Sequence, residues 1–356
     1  MLPEVSVVMS VYNGTLYLRE AVESILNQTF GDFEFIVVDD GSTDSTWDIL
    51  NRYARCDERI LLFRNPENVG LTKSLNMGLR KARGRFIARQ DGDDISFPER
   101  LASQMAYLQR HDDVGLLGTA YYKADSQGRR SARVYRHPQT DTEIRWKMLF
   151  HNAFCHTSVI LRRELFVAGN DLYNEDLPYS QDYDLWVRVL RRTCAANLPK
   201  PLVAFRMHES SIRHAHGEEQ GRIATAISAR QIGGLIPQRP LSGYEVDTLR
   251  LWYQKFPLLL GEQDTALCLL LLQIFREFAR QQELDPKALR RLRQRWIGCM
   301  FGALPIWRRH LWRSGLFKVI LREDARSVLT QTPKGTIRWI VRWLRRRKAH
   351  LASPSI

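Results

Sequence analysis

Asp91-Gly92-Asp93 follows directly on the β-prone run Arg85-Phe86-Ile87-Ala88-Arg89-Gln90, and a third carboxylate, Asp94, comes next. Clustered carboxylate oxygens suit hard divalent cations such as Mg²⁺ or Mn²⁺, which in turn hold phosphates. Open parallel sheets collect ligands just beyond the carboxyl ends of their strands, so the position fits the chemistry. Earlier apolar runs end in the same way. Residues 5–11 lead into Tyr12-Asn13-Gly14, residues 33–38 into Asp39-Asp40-Gly41-Ser42-Thr43-Asp44, and residues 60–63 into Asn65 and Asn68-Val69-Gly70. Parallel, adjacent strands would bring these loops to one edge and outline a nucleoside-diphosphate pocket. An acid after the second strand can accept a hydrogen bond from a base imide N–H. The first helix N-terminus can face phosphate, and the acids after the fourth strand can supply the metal that offsets diphosphate charge.

The intervening segments must position these loops. Leu18, Ala21, Val22, Ile25 and Leu26 follow helical spacing. Ser42, Thr43 and Asp44 offer N-caps for a helix carrying Ile49, Leu50 and Tyr53. A third helix is predicted over 70–82, a strand over 86–88, a Pro98-initiated helix to about residue 110 and a strand over 114–118. Strands alternating with helices of this length predict an α/β fold with a parallel sheet covered on both faces. Beyond residue 120 the pattern loosens. Residues 121–141 read as irregular or hairpin, followed by a strand over 157–161, a helix over 182–192 and a short strand over 202–205. The His-rich stretch 207–220 reads as a loop or boundary, and everything after it as helical. Only Gly14 stands where a dinucleotide fold needs G-x-G-x-x-G, and no Gly-x₄-Gly-Lys-Ser/Thr exists.

Charge divides the 356 residues in two. Residues 1–215 hold 28 Lys/Arg against 28 Asp/Glu, and residues 216–356 hold 25 against 11, so the whole net charge of +14 lies in the second part. Trp252, Trp296, Trp307, Trp312, Trp339 and Trp343 lie there too. A neutral domain over 1–215 and a basic, Trp-rich helical region over 216–356 imply chemistry in front and attachment to an anionic surface behind. The cysteines (Cys56, Cys155, Cys194, Cys268, Cys299) form no CxxC pair, which indicates neither a zinc site nor a disulfide framework. No signal peptide and no membrane span are expected, and the apolar run 266–275 reads as a buried helix.

Six ordered motifs, VSVVMSVYNG, VVDDGSTD, NVGLTKSLNMGLRKARGRFIARQDGDDISFPERL, HTSVILRRE, QDYDLW and FRMHESS, resemble the family 2 glycosyltransferases. The closer likeness is to their bacterial surface-polysaccharide branch, and it covers roughly residues 3–215. The resemblance implies a GT-A fold, a nucleoside-diphosphate sugar donor, a divalent metal and inversion at the anomeric carbon. It assigns Asp39 to the base, Tyr12 and Asn13 to the nucleoside, and Asp40 to the ribose or the loop turn. Lys73 falls near the nucleotide, more loosely. Asp93 is expected as a direct metal ligand and Asp91 as a ribose or water-mediated contact. Arg206 and His208 match an R-x-H element whose histidine reaches the diphosphate or the metal. Asp182, in QDYD, is the expected catalytic base. Gln181 stands where the family usually has Glu, so no neighbouring acid can substitute for Asp182.

Competing roles are structural. Asp182 and Asp184 could simply start a helix favourably through its dipole, and His208 could be a solvated loop residue. Asp94 is expected to support its loop, Trp186 to fill the core, and His156 to shape the acceptor side rather than to pair with Cys155 as a nucleophile. At the C-terminus, Ile337, Ile340, Val341 and Leu344 share one helical face and Arg338, Arg342, Arg345 and Arg346 the other, flanked by Trp339 and Trp343. Such a helix, together with 305–321, suits an anionic membrane surface; packing on the catalytic domain is the alternative, and nucleic acid is not expected. Together these readings imply a peripheral enzyme on the inner, cytoplasmic face of a bacterial plasma membrane, using UDP- or dTDP-sugars to extend a polyprenyl-diphosphate-linked oligosaccharide. A soluble or protein acceptor, or a non-catalytic nucleotide-sugar-binding scaffold, is the alternative.

Overall fold

The computed structural model describes residues 2–167, 172–209, 216–255, 264–281 and 284–302. The basic stretches 305–321 and 337–346 therefore lie outside the described residues. The chain divides into two compact units, Met1–Arg230 and Gln231–Ile356.

In the first unit, β1 (Val5–Val11), β2 (Phe33–Asp39), β3 (Ile60–Arg64) and β4 (Phe86–Asp91) run parallel. Every residue of β1 and β2 is buried, as continuous apolar runs require when helices cover both faces. The helices are α1 (Leu18–Leu26), α2 (Thr46–Cys56), α3 (Leu71–Lys81) and α4 (Arg100–Leu108). Val7, Met9, Phe35 and Val37 point to one face, against Leu18, Val22, Ile49 and Leu101. Val8, Ile36 and Val38 alternate to the other, against Leu75 and Leu79 of α3. Gly78 allows that last contact, since a Cβ there would lie 2.7 Å from Val8 Cγ1.

The remaining strands are β5 (Ile95–Ser96), β6 (Val114–Ala124), β7 (Arg130–Tyr135), β8 (Ile160–Arg162) and β9 (Cys194–Arg206), and the sheet order is β3-β2-β1-β4-β8-β6-β9-β5 with β7 on β6. The long ladders are parallel, while β8 runs antiparallel to β4 and β6 through short ones. The chain winds from β1 outward to β3 and returns through β4 on the other side of β1. The switch point thus falls between β1 and β4, where an open α/β sheet leaves a crevice at its carboxyl edge.

Several elements differ from expectation. β9 extends over Cys194–Arg206 rather than 202–205, because β6 carries it past Pro199 and Pro201 with register shifts between Thr119 and Tyr121. A helix not foreseen, α5 (Asp141–Met148), precedes the 3₁₀ turn His156–Ser158. α6 (Glu164–Val167) and α7 (Gln181–Val189) follow, and α8 (Gly217–Leu235) comes after β9. The first unit reaches Arg230 rather than 215, since Ala224 and Ile227 of α8 join its core and Ser228 Oγ donates to Leu149 O at 2.6 Å.

The second unit contains α9 (Gly243–Lys255), α10 (Asp264–Ala279) and α11 (Pro286–Gly302) among its described residues. α10 buries Leu267, Leu270, Leu271, Leu272, Ile274, Phe275 and Phe278, a broad apolar face in keeping with the expected buried helix, and exposes Leu269. No helix of the described residues is long and apolar enough to cross a membrane.

Candidate active site

Strand register assembles the site. Val11 pairs with Asp39, Asp39 with Arg64, and Ser10 with Asp91, so β1–β4 end level with one another. Beyond β1, Tyr12 is 47% exposed and Asn13 takes a left-handed φ of 48°. That turn lets Asn13 Oδ1 accept from Thr43 N at 2.9 Å, while Asn13 N donates to Ser42 Oγ at 2.9 Å. Gly41, at φ 70°, allows the β2 loop to lie against Glu67 and Asn68, where a Cβ would come within 2.3 Å of the Glu67 backbone. Asp39 is buried; its Oδ1 accepts from Ser42 N at 3.3 Å, while Oδ2 accepts no hydrogen bond. Arg64 Nε lies 3.0 Å from that Oδ2, an ion-pair distance, but its N–H is not directed at the oxygen.

Asp40 takes the second of its two expected places, the loop turn. Its Oδ1 accepts from Asn65 Nδ2 and Val69 N, and its Oδ2 from Gly70 N, at 2.8–3.0 Å. Both oxygens thus pin the β3–α3 loop, so Asp40 belongs to the loop turn rather than facing a ribose. Lys73 is exposed on α3, where its charge helps to lower the pKa of Glu175.

The acidic loop is held from the far side of the sheet. β5 pairs Ile95 with Ala204, which brings the end of β9 alongside Asp93 and Asp94. Arg206 is 2% exposed: its N donates to Asp94 Oδ1, Nε to Asp93 O, Nη1 to Ser126 O and Nη2 to Glu20 Oε2, at 2.6–3.0 Å. Its guanidinium also covers the Tyr17 ring at 4.5 Å. Every side-chain nitrogen donates to protein, so Arg206 holds the loop, and the diphosphate or metal contact expected of the R-x-H element falls to its histidine. Burial, then the charges of Asp93 and Asp91, push the Asp94 carboxyl well above the usual range, as suits a supporting acid.

Asp93 keeps 35% of its side chain exposed and His208 only 10%, with His208 Nε2 and Asp93 Oδ2 2.8 Å apart and His208 against Tyr17. Among the described residues, no three His, Cys, Asp or Glu side chains gather into a complete cation site. An imidazole nitrogen beside a carboxylate still fits a cation whose remaining ligands are phosphate oxygens and water.

Asp182 stands in the first turn of α7, after Ser180 at a left-handed φ of 54°. Asn152 Nδ2 donates to its Oδ2 at 2.6 Å and Tyr183 N to its Oδ1 at 2.8 Å. Asp184 points elsewhere, pairing with Arg188 and with Arg230 of α8. Trp186 is fully buried against Phe154, His156 and Tyr173. Cys155 is buried and its thiol raised well above its ordinary value by burial, which excludes a ready thiolate.

Residues 6–168 match Glycosyl transferase family 2. An uncharacterized glycosyltransferase of Haemophilus influenzae is 32% identical over 245 residues, covering 65% of this chain and 73% of its own length. The chain belongs to glycosyltransferase family 2. The amylovoran biosynthesis glycosyltransferase AmsE of Erwinia amylovora is 31% identical over 216 residues, covering 60% of this chain and 79% of AmsE. Among solved structures, S. aureus TarS 1-349 with UDP-GlcNAc superposes at a TM-score of 0.55 with 19% identity, covering 77% of this chain and 81% of that one, which shows the GT-A fold.

Within this family 2 site, sequence reasoning missed the residues that join its halves. Arg89, 1% exposed, donates through Nη2 to Asp91 Oδ1, through Nη1 to Val8 O at 2.8 Å, and through Nε to His156 Nε2 at 3.2 Å. Since an arginine only donates, His156 Nε2 must accept, which leaves the ring proton on Nδ1, 4.0 Å from Asp91 Oδ2. Burial, then Arg89, lowers the His156 pKa, so the ring is neutral near pH 7. Tyr173 OH meets the same Nε2 at 2.7 Å, while the Asn76 amide holds the Tyr173 backbone at 2.9 and 3.0 Å. A charged arginine inside an otherwise apolar strand was the available signal, because such a charge has to be paired.

Proposed function

We propose that this family 2 enzyme moves a sugar, with inversion, from a UDP- or dTDP-sugar to a hydroxyl of a polyprenyl-diphosphate-linked oligosaccharide. The observation that carries the reading is one loop that touches both groups: Asn152 holds Asp182, while His156 meets Arg89, the partner of Asp91, and Thr157 Oγ1 accepts from Asp91 N at 3.1 Å. This link supports a common site for the acidic loop and the QDYD carboxylate. Similarity to AmsE, an amylovoran biosynthesis glycosyltransferase, supports a surface-polysaccharide role.

Asp93 and His208 would hold the Mg²⁺ or Mn²⁺, with Asp91 next to them, and a bound divalent cation would offset charge on the leaving diphosphate. Asp182 takes the proton of the acceptor hydroxyl as its oxygen bonds to C1. The bond from C1 to the diphosphate oxygen breaks with its electron pair on the diphosphate, so no enzyme nucleophile is needed. Asn152 and the Tyr183 N–H keep the carboxylate turned for this transfer. Arg89 fixes one oxygen of Asp91 through its buried guanidinium. The basic C-terminal stretch would seat the enzyme peripherally on an anionic, cytoplasmic membrane face; anionic against neutral liposomes test that part, with binding that ignores lipid charge and salt counting against it.

Thermal stabilisation by UDP-, dTDP- and GDP-sugars, with and without Mn²⁺, tests donor and metal. Stabilisation by uridine or thymidine diphosphosugars that grows with Mn²⁺ is expected, and indifference to all three donors would sink the reading. The anomeric configuration of the product, read by NMR, tests inversion.

A further inference from the structure

The Asp39 carboxylate is buried, yet its Oδ2 accepts no hydrogen bond, while the guanidinium of Arg64 lies across it. Arg64 is the last residue of β3, in register with Asp39, and keeps 42% of its side chain exposed. Its Nη2 donates to Ser42 O at 2.9 Å and its Cζ covers the Trp47 ring at 4.9 Å. An arginine tied to a backbone carbonyl and an indole face, but not hydrogen-bonded to the acid beneath it, is a movable cap on an unsatisfied acceptor.

We propose that Arg64 is a base-specificity residue, reading the carbonyl beside the imide N–H that Asp39 reads. The inference rests on the nucleotide-sugar reading and deepens it. An imide N–H donates to Asp39 Oδ2 and relieves its missing bond. The guanidinium, always charged and only a donor, turns from the carboxylate to the neighbouring base carbonyl. Uracil, thymine and guanine all present a ring N–H beside a carbonyl. Cytosine reverses both groups, setting a lone pair against the carboxylate and an amino group against the guanidinium. Leaving two charged groups mismatched in a covered pocket is the kind of penalty that gives strong discrimination. Without nucleotide, Arg64 also keeps the buried charge of Asp39 compensated.

Calorimetric titration of UDP, GDP and CDP into the full chain with Mn²⁺, for wild type, Arg64→Met and Arg64→Lys, tests this. Wild type should prefer UDP to CDP; Arg64→Met should weaken UDP about tenfold and CDP less than about twofold, the loss of one charge-assisted hydrogen bond. Arg64→Lys, which keeps the charge but not the fork, should fall between. Equal weakening of UDP and CDP in both variants, or no change in either, would mean that Arg64 serves structure alone and would overturn the proposal. If Arg64→Met does not fold, an unaltered UDP-to-CDP ratio in Arg64→Lys overturns it equally. Wild type binding no nucleotide at all would remove the donor reading and this one with it, whereas wild type binding with unaltered variants removes only the role of Arg64.

Discussion

At the carboxyl edge of β1–β4, each loop is tied by side chains from another: Asn13 to Thr43, Gly14 to Thr46, Thr15 to Asp44, Gly70 to Asp40, and Asp93 and Asp94 to Arg206. Asp182, on the α5–α7 side, depends on Asn152 and one backbone N–H. A pocket for a flexible diphosphate gains from loops ordered before binding, because that ordering is otherwise charged against affinity. A base needs only its carboxylate aimed. Both regions still divide their acids alike. Asp40, Asp94 and Asp184 are buried and hold elements together, whereas Asp91, Asp93 and Asp182 keep part of their surface open. Asp39 stands apart, being buried yet assigned to the base; among these other six acids, burial follows the division between those that hold elements together and those proposed to act.

Asp182→Asn tests that division most severely. It keeps the shape and removes the proton acceptor, so turnover should fall about 10²–10⁴-fold while donor affinity holds. Steady-state kinetics and calorimetry together check it, and a fall in donor affinity instead would move Asp182 to the donor region. Asp93→Asn should act in the opposite sense. With UDP at 100 times its Kd and Mn²⁺ present, wild type gains about 2.7 kcal/mol of stability, and the variant should lose the Mn²⁺-dependent share. A variant that kept it would place the cation elsewhere.

Legibility in the sequence followed the same division. The parallel strands and α1–α4 could be read because each is a long apolar or periodic run closed by loop signals. β9 runs on through Pro199 and Pro201, residues that normally argue against a strand, so its full length is not legible from local pattern. α5 was hidden because it buries Thr142, Ile144, Trp146 and Met148, every second residue, a pattern that mimics a strand. Motif order points to Asp91, Asp93, Asp182 and His208 as candidates. The motif could not show that Arg206 and Asp40 face inward, since burial depends on β5–β9 pairing and on the β3–α3 loop. Arg89, Asn152 and Tyr173 come together only through the tertiary fold.

Arg206→Met should sharpen the distinction between building and acting. It leaves the Asp93 and Ser126 carbonyls and Glu20 without their partner. A loss of about 3 kcal/mol in urea unfolding is expected, with weaker Mn²⁺-dependent UDP binding following from the loosened loop. Unaltered stability with lost binding would instead return Arg206 to the ligand.

Glu34 supplies the smallest effect and an internal control, because it ties the opposite, amino edge of the same sheet. Its Oε1 accepts from Ser6 Oγ at 2.6 Å and Arg83 N at 2.8 Å, and its Oε2 from Arg83 Nε and Nη2 at 2.8 and 2.6 Å. Burial raises its carboxyl, but the bonds from Ser6 and Arg83 outweigh that and hold it below its ordinary value of 4.5. A folded pKa below the unfolded one means that this carboxylate stabilises the protein above about pH 4.5, and that the contribution fades as pH falls through the folded value. Glu34→Gln should therefore unfold at lower urea than wild type at pH 7, and the gap should close on acidification while transfer activity at pH 7 stays unchanged. A gap independent of pH would show that the amino edge relies on the shape of the side chain rather than on its charge, unlike the acids at the carboxyl edge.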